Sequence, residues 1–312
     1  MIFPQNLSAA DVLALLHECG FPVDLRGNAD TTVRGLNLLA LARAGDLVFV
    51  DAPRYMRDAL QSPADLVLCR ASAAELAATN KSLLLTDDPY AAFGRLIERL
   101  ARRPGAEAII GAGTAIEPGV HIGTDVAIGR DCVIRANVVI HPGTRIGDRV
   151  VIQSGSVVGS DGFYYQRRAA GLLRLPSGGD CAIHDDVEIG AGCTIDRGVT
   201  ATTTIGTGTK IDNLVHVGHD TVIGAHCLIA GCVGIAGTAV IEDEVTLWGQ
   251  VGVGSLVTIG RGAEILAKSA VLHDVPPGKR WFGTPARDAR RHMKELALLK
   301  QMVESNGRVD PA

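Results

Sequence analysis

Ile205-Gly-Thr-Gly-Thr-Lys-Ile211-Asp-Asn-Leu-Val-His-Val217-Gly-His-Asp-Thr-Val-Ile223-Gly-Ala-His-Cys-Leu-Ile229 places an aliphatic side chain at every sixth position. Four residues after each comes a small or β-branched residue: Thr209, Val215, Thr221 and Cys227. A helix repeats near 3.6 residues and a strand at 2, so a period of six fits neither. It fits a short strand followed by a turn, a unit that buries its apolar side only by stacking on copies of itself. The stretch therefore predicts a parallel β-helix with backbone bonds running from coil to coil.

Upstream the same register holds at Ile110, Ile116, Ile122, Ile128, Ile134, Ile140, Ile146, Ile152 and Val158. It resumes at Ile183, Ile189 and Ile195, slips by four residues through Thr200 to Thr204, and then continues to Val271. The interruption at 160–182, with Gly162, Arg167, Arg168, Pro176, Gly178 and Gly179, reads as a loop or hairpin extruded from the stack, where function often resides. Glycine commonly follows the aliphatic residue, as at Gly111, Gly206 and Gly218, and implies positive φ or a close backbone approach at a corner. Cys132, Cys193 and Cys227 occupy the small inward position and are expected to fill core.

Composition agrees with thin repeated coils: aromatic residues are 4% of the 312 while glycines number 37. A formal charge of -4 argues against nucleic acid as the main partner, since phosphate binding needs a basic surface. No secretory leader pattern or apolar run of about 18 residues occurs, so a soluble, cytoplasmic protein is expected. The seven cysteines form no CxxC pair and suggest neither a disulfide framework nor a zinc site.

The flanks differ from the repeat. Over 1–104, Ser8 can cap a helix through Leu13, Leu16 and His17. Apolar runs at 46–50, 65–69 and 82–86 read as strands, and 54–60 and 91–102 as helices, together a small α/β domain. The β-helix is expected over 105–275 and a helical extension over 276–312. The helix from Arg287 to Val303 and its basic excess from Lys279 to Lys300 suit an acidic partner protein.

Chemistry concentrates at Asp212, Asn213, His216 and His219, polar groups in a scaffold of otherwise plain residues. Imidazole titrates near neutrality, so His219 can accept the proton of an attacking amine as a thioester carbonyl is attacked. One coil above His219 stands Gly237, whose N–H is a candidate oxyanion donor. Asp212 is a candidate to orient His219. A competing reading makes His216, His219 and His226 zinc ligands, as in trimeric β-helix carbonic anhydrases.

Gly159-Ser-Asp-Gly-Phe163, Thr194-Ile-Asp-Arg-Gly198, Ile211-Asp-Asn213, His216-x-x-His219 and Ala230-Gly-x-Val-Gly-Ile-Ala-Gly237 together resemble the UDP-3-O-acylglucosamine N-acyltransferases of lipid A biosynthesis, over nearly the whole chain. The resemblance implies a left-handed β-helix with three hexads per coil and a homotrimer with sites between subunits. It also implies transfer of a 3-hydroxyacyl group from the 4'-phosphopantetheine of acyl carrier protein, or of coenzyme A in a sister enzyme for another amino sugar; no bound cofactor is implied. On that basis His219 is the base, Gly237 the oxyanion donor, and Asn213 and His216 line the acceptor and acyl site. Phe49 and Tyr55 match a pair of aromatic rings that hold uracil. Ala52 stands where the family usually has Asn, and Leu256 where it commonly has a second His. Trp248 replaces a small residue near the acyl-bearing face and suggests a shorter acyl donor.

Overall fold

The computed structural model describes residues 1–74, 80–101 and 105–305. The chain divides into two compact units. One comprises Met1–Pro104, Asp161–Asp180 and Arg197–Thr202; the other comprises Gly105–Ser160, Cys181–Asp196 and Thr203–Ala312.

The first unit is a six-stranded sheet in the order Ile2–Ser8, Thr32–Leu36, Asp46–Val50, Leu66–Cys69, Ser82–Leu85, Asp24–Arg26. Its four inner strands are parallel and both outer strands antiparallel to their neighbours. Ser8 caps the helix Ala9–Glu18 in a reciprocal capping box with Asp11, its Oγ accepting the Asp11 N–H at 3.1 Å. Asp88 caps Pro89–Leu100 through the Ala91 N–H at 3.1 Å. The expected helix end at Arg102 and the domain end at Pro104 lie outside the described residues. Along the strand Asp46–Val50 alternate residues face opposite ways: Leu47 and Phe49 join Leu16, Phe93 and Leu96, whereas Val48 and Val50 pack with Met56 and Ala59.

Residues expected as a loop of the β-helix instead complete this α/β core. Segment 161–180 forms the hairpin Tyr165–Arg168/Gly171–Arg174, Leu175 is fully buried among Tyr90, Phe93 and Leu96, and Val199 joins the same cluster. Gln166 Nε2 donates to Asp51, and Arg168 reaches Asp88 Oδ1 at 2.7 Å while lying over the Tyr90 ring.

The second unit is a left-handed parallel β-helix. One face runs from Ile109–Ile110 to Thr258–Ile259, a second from Ala115–Ile116 to Glu264–Ile265, and a third from His121–Ile122 to Ala270–Val271. Register is one coil of 18 residues, as in Ile205 beside Ile223 beside Ile241. From Ile128 to Val271 the aliphatic columns are almost completely buried, each such side chain contributing roughly 1.5–3 kcal/mol relative to exposure. Cys132, Cys193 and Cys227 are core, and burial raises each thiol above its ordinary value. The two exits from the stack lengthen the spacing: Ile152 pairs with Ile189, and Ile189 with Ile211. Beyond the expected end at 275, Arg280–Phe282 and Arg287–Asp288 extend the second face, and the helix Ala289–Ser305 follows. Among the described residues no helix is long and apolar enough to cross a membrane.

Of the two explanations for glycine after the aliphatic residue, the structure selects close approach. A Cβ on Gly206 would lie 2.4 Å from the Gly224 carbonyl carbon. Positive φ falls two residues later, mostly on residues other than glycine, including Leu214, Asp220 and Thr238.

Candidate active site

His219 and Gly237 stand one above the other at the corner between the third and first faces, held there by the strands His216–Val217 and Gly234–Ile235, which pair in parallel. Gly218 permits this stacking, because a Cβ there would be 2.6 Å from Gly237 N. His219 Nδ1 bonds Asp220 Oδ2 at 2.8 Å. His219 is 8% and Asp220 2% exposed, so this pair works in a largely water-excluded corner. A carboxylate only accepts, so Nδ1 carries the proton in the neutral ring and Nε2 presents its lone pair. The flat face of the ring lies against Gly237, where a Cβ would come within 2.6 Å of both Nε2 and Cε1 and 2.9 Å of Cδ2.

At several other corners, though not at Thr207 or Gly231, the N–H two residues after the aliphatic is capped by an Asp or Asn of the next coil. Arg130 N reaches Asp148 at 2.8 Å, Ala191 N reaches Asn213 at 2.7 Å, and Ala225 N reaches Asp243 at 2.8 Å. In the coil above Gly237 that position is Ser255, and the Gly237 N–H has no acceptor among the described residues. A buried imidazole thus stands beside an uncapped backbone N–H, two groups of the kinds that proton removal and oxyanion binding use.

The carboxylate bonded to the imidazole is Asp220; Asp212, expected beside His219, is not brought to it within the chain. Asp212 lies at the corner between the second and third faces, where its Oδ1 accepts the Asn213 N–H at 2.7 Å. A full face separates it from His219 within the chain. The signal for Asp220 was its place three residues after Val217, at a positive-φ corner that suits Asp, directly beside the imidazole. Asn213 shares the corner of Asp212 and caps Ala191. His216 lies on the open third face rather than at a corner, its Nδ1 2.8 Å from Thr194 Oγ1 and its Nε2 3.9 Å from the buried Asp196, which also accepts from Ser160 Oγ at 2.9 Å. Trp248 stands half-exposed two coils above Asp212, its indole N–H donating to Glu264 at 2.8 Å.

The proposed zinc ligands do not converge within the chain: His216 is on the third face, His219 at the corner after it and His226 at the corner after the first face. Among the described residues no group of three or more His, Cys, Asp and Glu could hold a metal. Phe49 and Tyr55 are not paired either. Phe49 packs against Phe93 with ring centroids 4.7 Å apart and meets Tyr90 edge-on, whereas Tyr55 is 45% exposed beneath Arg54 and precedes the helix on the opposite sheet face.

A hexapeptide β-helix with a buried His–Asp pair beside an uncapped N–H defines an acyltransferase of the hexapeptide-repeat class. The bacterial transferase hexapeptide model matches residues 107–142, 128–160 and 202–237, and the model of UDP-3-O-(3-hydroxymyristoyl) glucosamine N-acyltransferase matches 30–99. The UDP-3-O-acylglucosamine N-acyltransferase of Methylorubrum populi is 38% identical over 95% of both chains, and that of Methylobacterium sp. strain 4-46 is 37% identical over 96% of this chain and 95% of its own. The solved UDP-N-acetylglucosamine acyltransferase of Francisella novicida aligns with TM-score 0.51 at 26% identity, over 62% of this chain and 72% of that one. The chain belongs to the UDP-3-O-acylglucosamine N-acyltransferase family.

Proposed function

We propose that the protein transfers a 3-hydroxyacyl group from the phosphopantetheine thioester of acyl carrier protein to the amine of a UDP-3-O-acylglucosamine, in lipid A biosynthesis. The observation that carries this reading is the placement of His219 Nε2 against Gly237 with Asp220 on Nδ1. The acceptor nitrogen attacks the thioester carbonyl while Nε2 takes its proton. The carbonyl oxygen becomes an oxyanion that accepts from the Gly237 N–H, and Asp220 supports the imidazolium. Collapse breaks the C–S bond, and the imidazolium returns the proton to the departing sulfur.

Two further features support the partners. The His219 corner and the Asn213–Trp248 corner lie on opposite edges of the third face, so a site using both draws them from two chains, as a homotrimer provides. Arg287 on the last strand and Arg291 on the following helix pair with Glu295, whereas Arg290 and Lys294 of that helix are exposed with no carboxylate partner among the described residues, a surface suited to the acidic carrier protein. The exposed Tyr55 ring offers a stacking face for uracil. Ala52 and Leu256 support a second reading, a sister enzyme acylating another nucleotide amino sugar from a shorter acyl carrier or coenzyme A donor. Incubation of purified protein with both acceptor types and both donor types, read by mass spectrometry, decides between them. Conversion of UDP-3-O-acylglucosamine with the carrier donor is expected, and His219→Ala retaining full rate would refute the base.

A further inference from the structure

The regular corners of the stack share a backbone bond, and at the active corner the corresponding N–H goes to a side chain. The positive-φ residue at each donates its N–H to a backbone carbonyl in the coil below: Asp125 to Ala106 at 2.8 Å, Asp131 to Ala112 at 3.0 Å, His226 to Thr207 at 2.9 Å and Thr238 to His219 at 2.8 Å. Where the four-residue slip intervenes the donor reaches correspondingly further back, as Leu214 does to Ala191 at 3.0 Å. The same offset would bring Asp220 to the carbonyl of Arg197. Residues 197–202, however, have left the stack for the other unit, and Thr203 is the first to return. Asp220 N donates to Thr203 Oγ1 instead, at 2.8 Å.

We infer that Thr203 is a positioning residue for acyl transfer: its hydroxyl oxygen stands in for the carbonyl lost at the slip and holds the Asp220 backbone so that the carboxylate stays on His219. The inference rests on the reading of His219 as base. Three observations carry it. Thr203 is fully buried and Asp220 nearly so, so water is a poor substitute for the missing acceptor. A β-branched side chain keeps the oxygen in one rotamer, as a carbonyl would be kept by its strand. Leu256 also departs from the backbone rule, but only Asp220 has the side-chain acceptor in its place, and its carboxylate bonds the imidazole. The slip thus costs the active corner its ordinary backbone tether, and a side chain supplies another.

The test uses the full-length protein and its steady-state kinetics with four variants. Thr203→Val keeps the shape and removes the acceptor; kcat is expected to fall at least about tenfold with KM changed less than about twofold. Thr203→Ser restores the oxygen and is expected to recover most of the rate. Thr209→Val removes a comparable buried hydroxyl, one that bonds Gly224 O and Cys227 N away from the active corner; it is expected to lower the melting temperature with kcat unchanged. In a His219→Ala background Thr203→Val is expected to have no further effect on the residual rate, because residues acting through one another are not additive. A folded Thr203→Val with the wild-type kcat overturns the inference, as does an equal fall with and without His219 or a Thr203→Ser as slow as the valine. If Thr203→Val does not fold, the serine variant and the serine-to-wild-type ratio of kcat in the two backgrounds decide, and a serine-specific fall that persists without His219 overturns it. Full activity of His219→Ala would instead remove the base itself, a distinguishable failure.

Discussion

Asp220 Oδ2 and His219 Nδ1 are 2.8 Å apart and adjacent in sequence, so one corner of the backbone sets both the position and the tautomer of the imidazole. Replacing Asp220 by Asn keeps the shape but removes the charge that favours the Nδ1–H tautomer and the imidazolium. Asp220→Asn is expected to lower kcat about 10²–10³-fold, whereas Asp243→Asn, which caps Ala225 at a corner between the first and second faces, is expected to stay within about threefold. Steady-state rates of both variants with the same substrates check the contrast, and equal losses would contradict the assignment of the carboxylate.

Gly237 is constrained by space as well as by chemistry. A methyl group there would meet the imidazole at 2.6 Å, and Asp220 holds the ring from its other side. Gly237→Ala is therefore expected to lose more than about 10²-fold in kcat and roughly 1–3 kcal/mol in stability through overpacking. By contrast Gly234→Ala, where an added Cβ meets nothing within 4 Å of the chain, should leave monomer stability nearly untouched. Denaturant melts of the two variants check this difference.

Acid should act on the α/β unit through Asp51. Burial raises its pKa, but hydrogen bonds from Gln166 and Arg70, with the charges of Arg70 and Arg168, outweigh that and hold it below the ordinary carboxylate value. A carboxyl depressed on folding contributes stability that is fully present above its unfolded pKa of about 3.9 and is lost as pH falls through the lower folded value. Asp51→Asn is expected to lower stability at neutral pH and to flatten its fall in strong acid. Melting of wild type and variant by far-ultraviolet dichroism at about pH 7 and about pH 3 tests this, and parallel slopes would count against it.

Trp248 is held by Glu264, which is in turn bonded to Arg280 at 2.6 Å. If its indole limits the acyl chain, Trp248→Gly should shift preference toward longer 3-hydroxyacyl donors. Rates with donors of graded length measure this, and an unchanged order of preference would assign the ring to subunit packing.

The stack was legible because packing imposes it: Ile211, Ile229 and Leu247 must lie in one buried column, and only a period that returns them there survives. His219 and Gly237 were legible for the same reason, being one coil apart. That Asp212 does not reach His219 within the chain was not legible, because nearness in sequence says nothing about which corner a residue occupies, and seven positions from His219 carry the chain across a whole face. The hairpin at 161–180 was recognised as leaving the stack, but its role in the α/β core depends on Leu175 meeting Phe93, a contact without periodicity to announce it. Phe49 was read as a ligand surface, and spacing did not reveal that its part-buried ring also packs against Tyr90 and Phe93.

A column of like aliphatic residues has a hazard of its own: a chain that slid by one whole coil while folding would bury nearly the same surface. The exits after Ser160 and Asp196 remove that degeneracy. Ile146 finds Ile183 and Ile183 is followed by Ile205 on the same face, at separations that no other pair of coils repeats. The unequal excursions therefore act as addresses, giving each coil a single partner during folding and fixing the level at which His219 comes to rest.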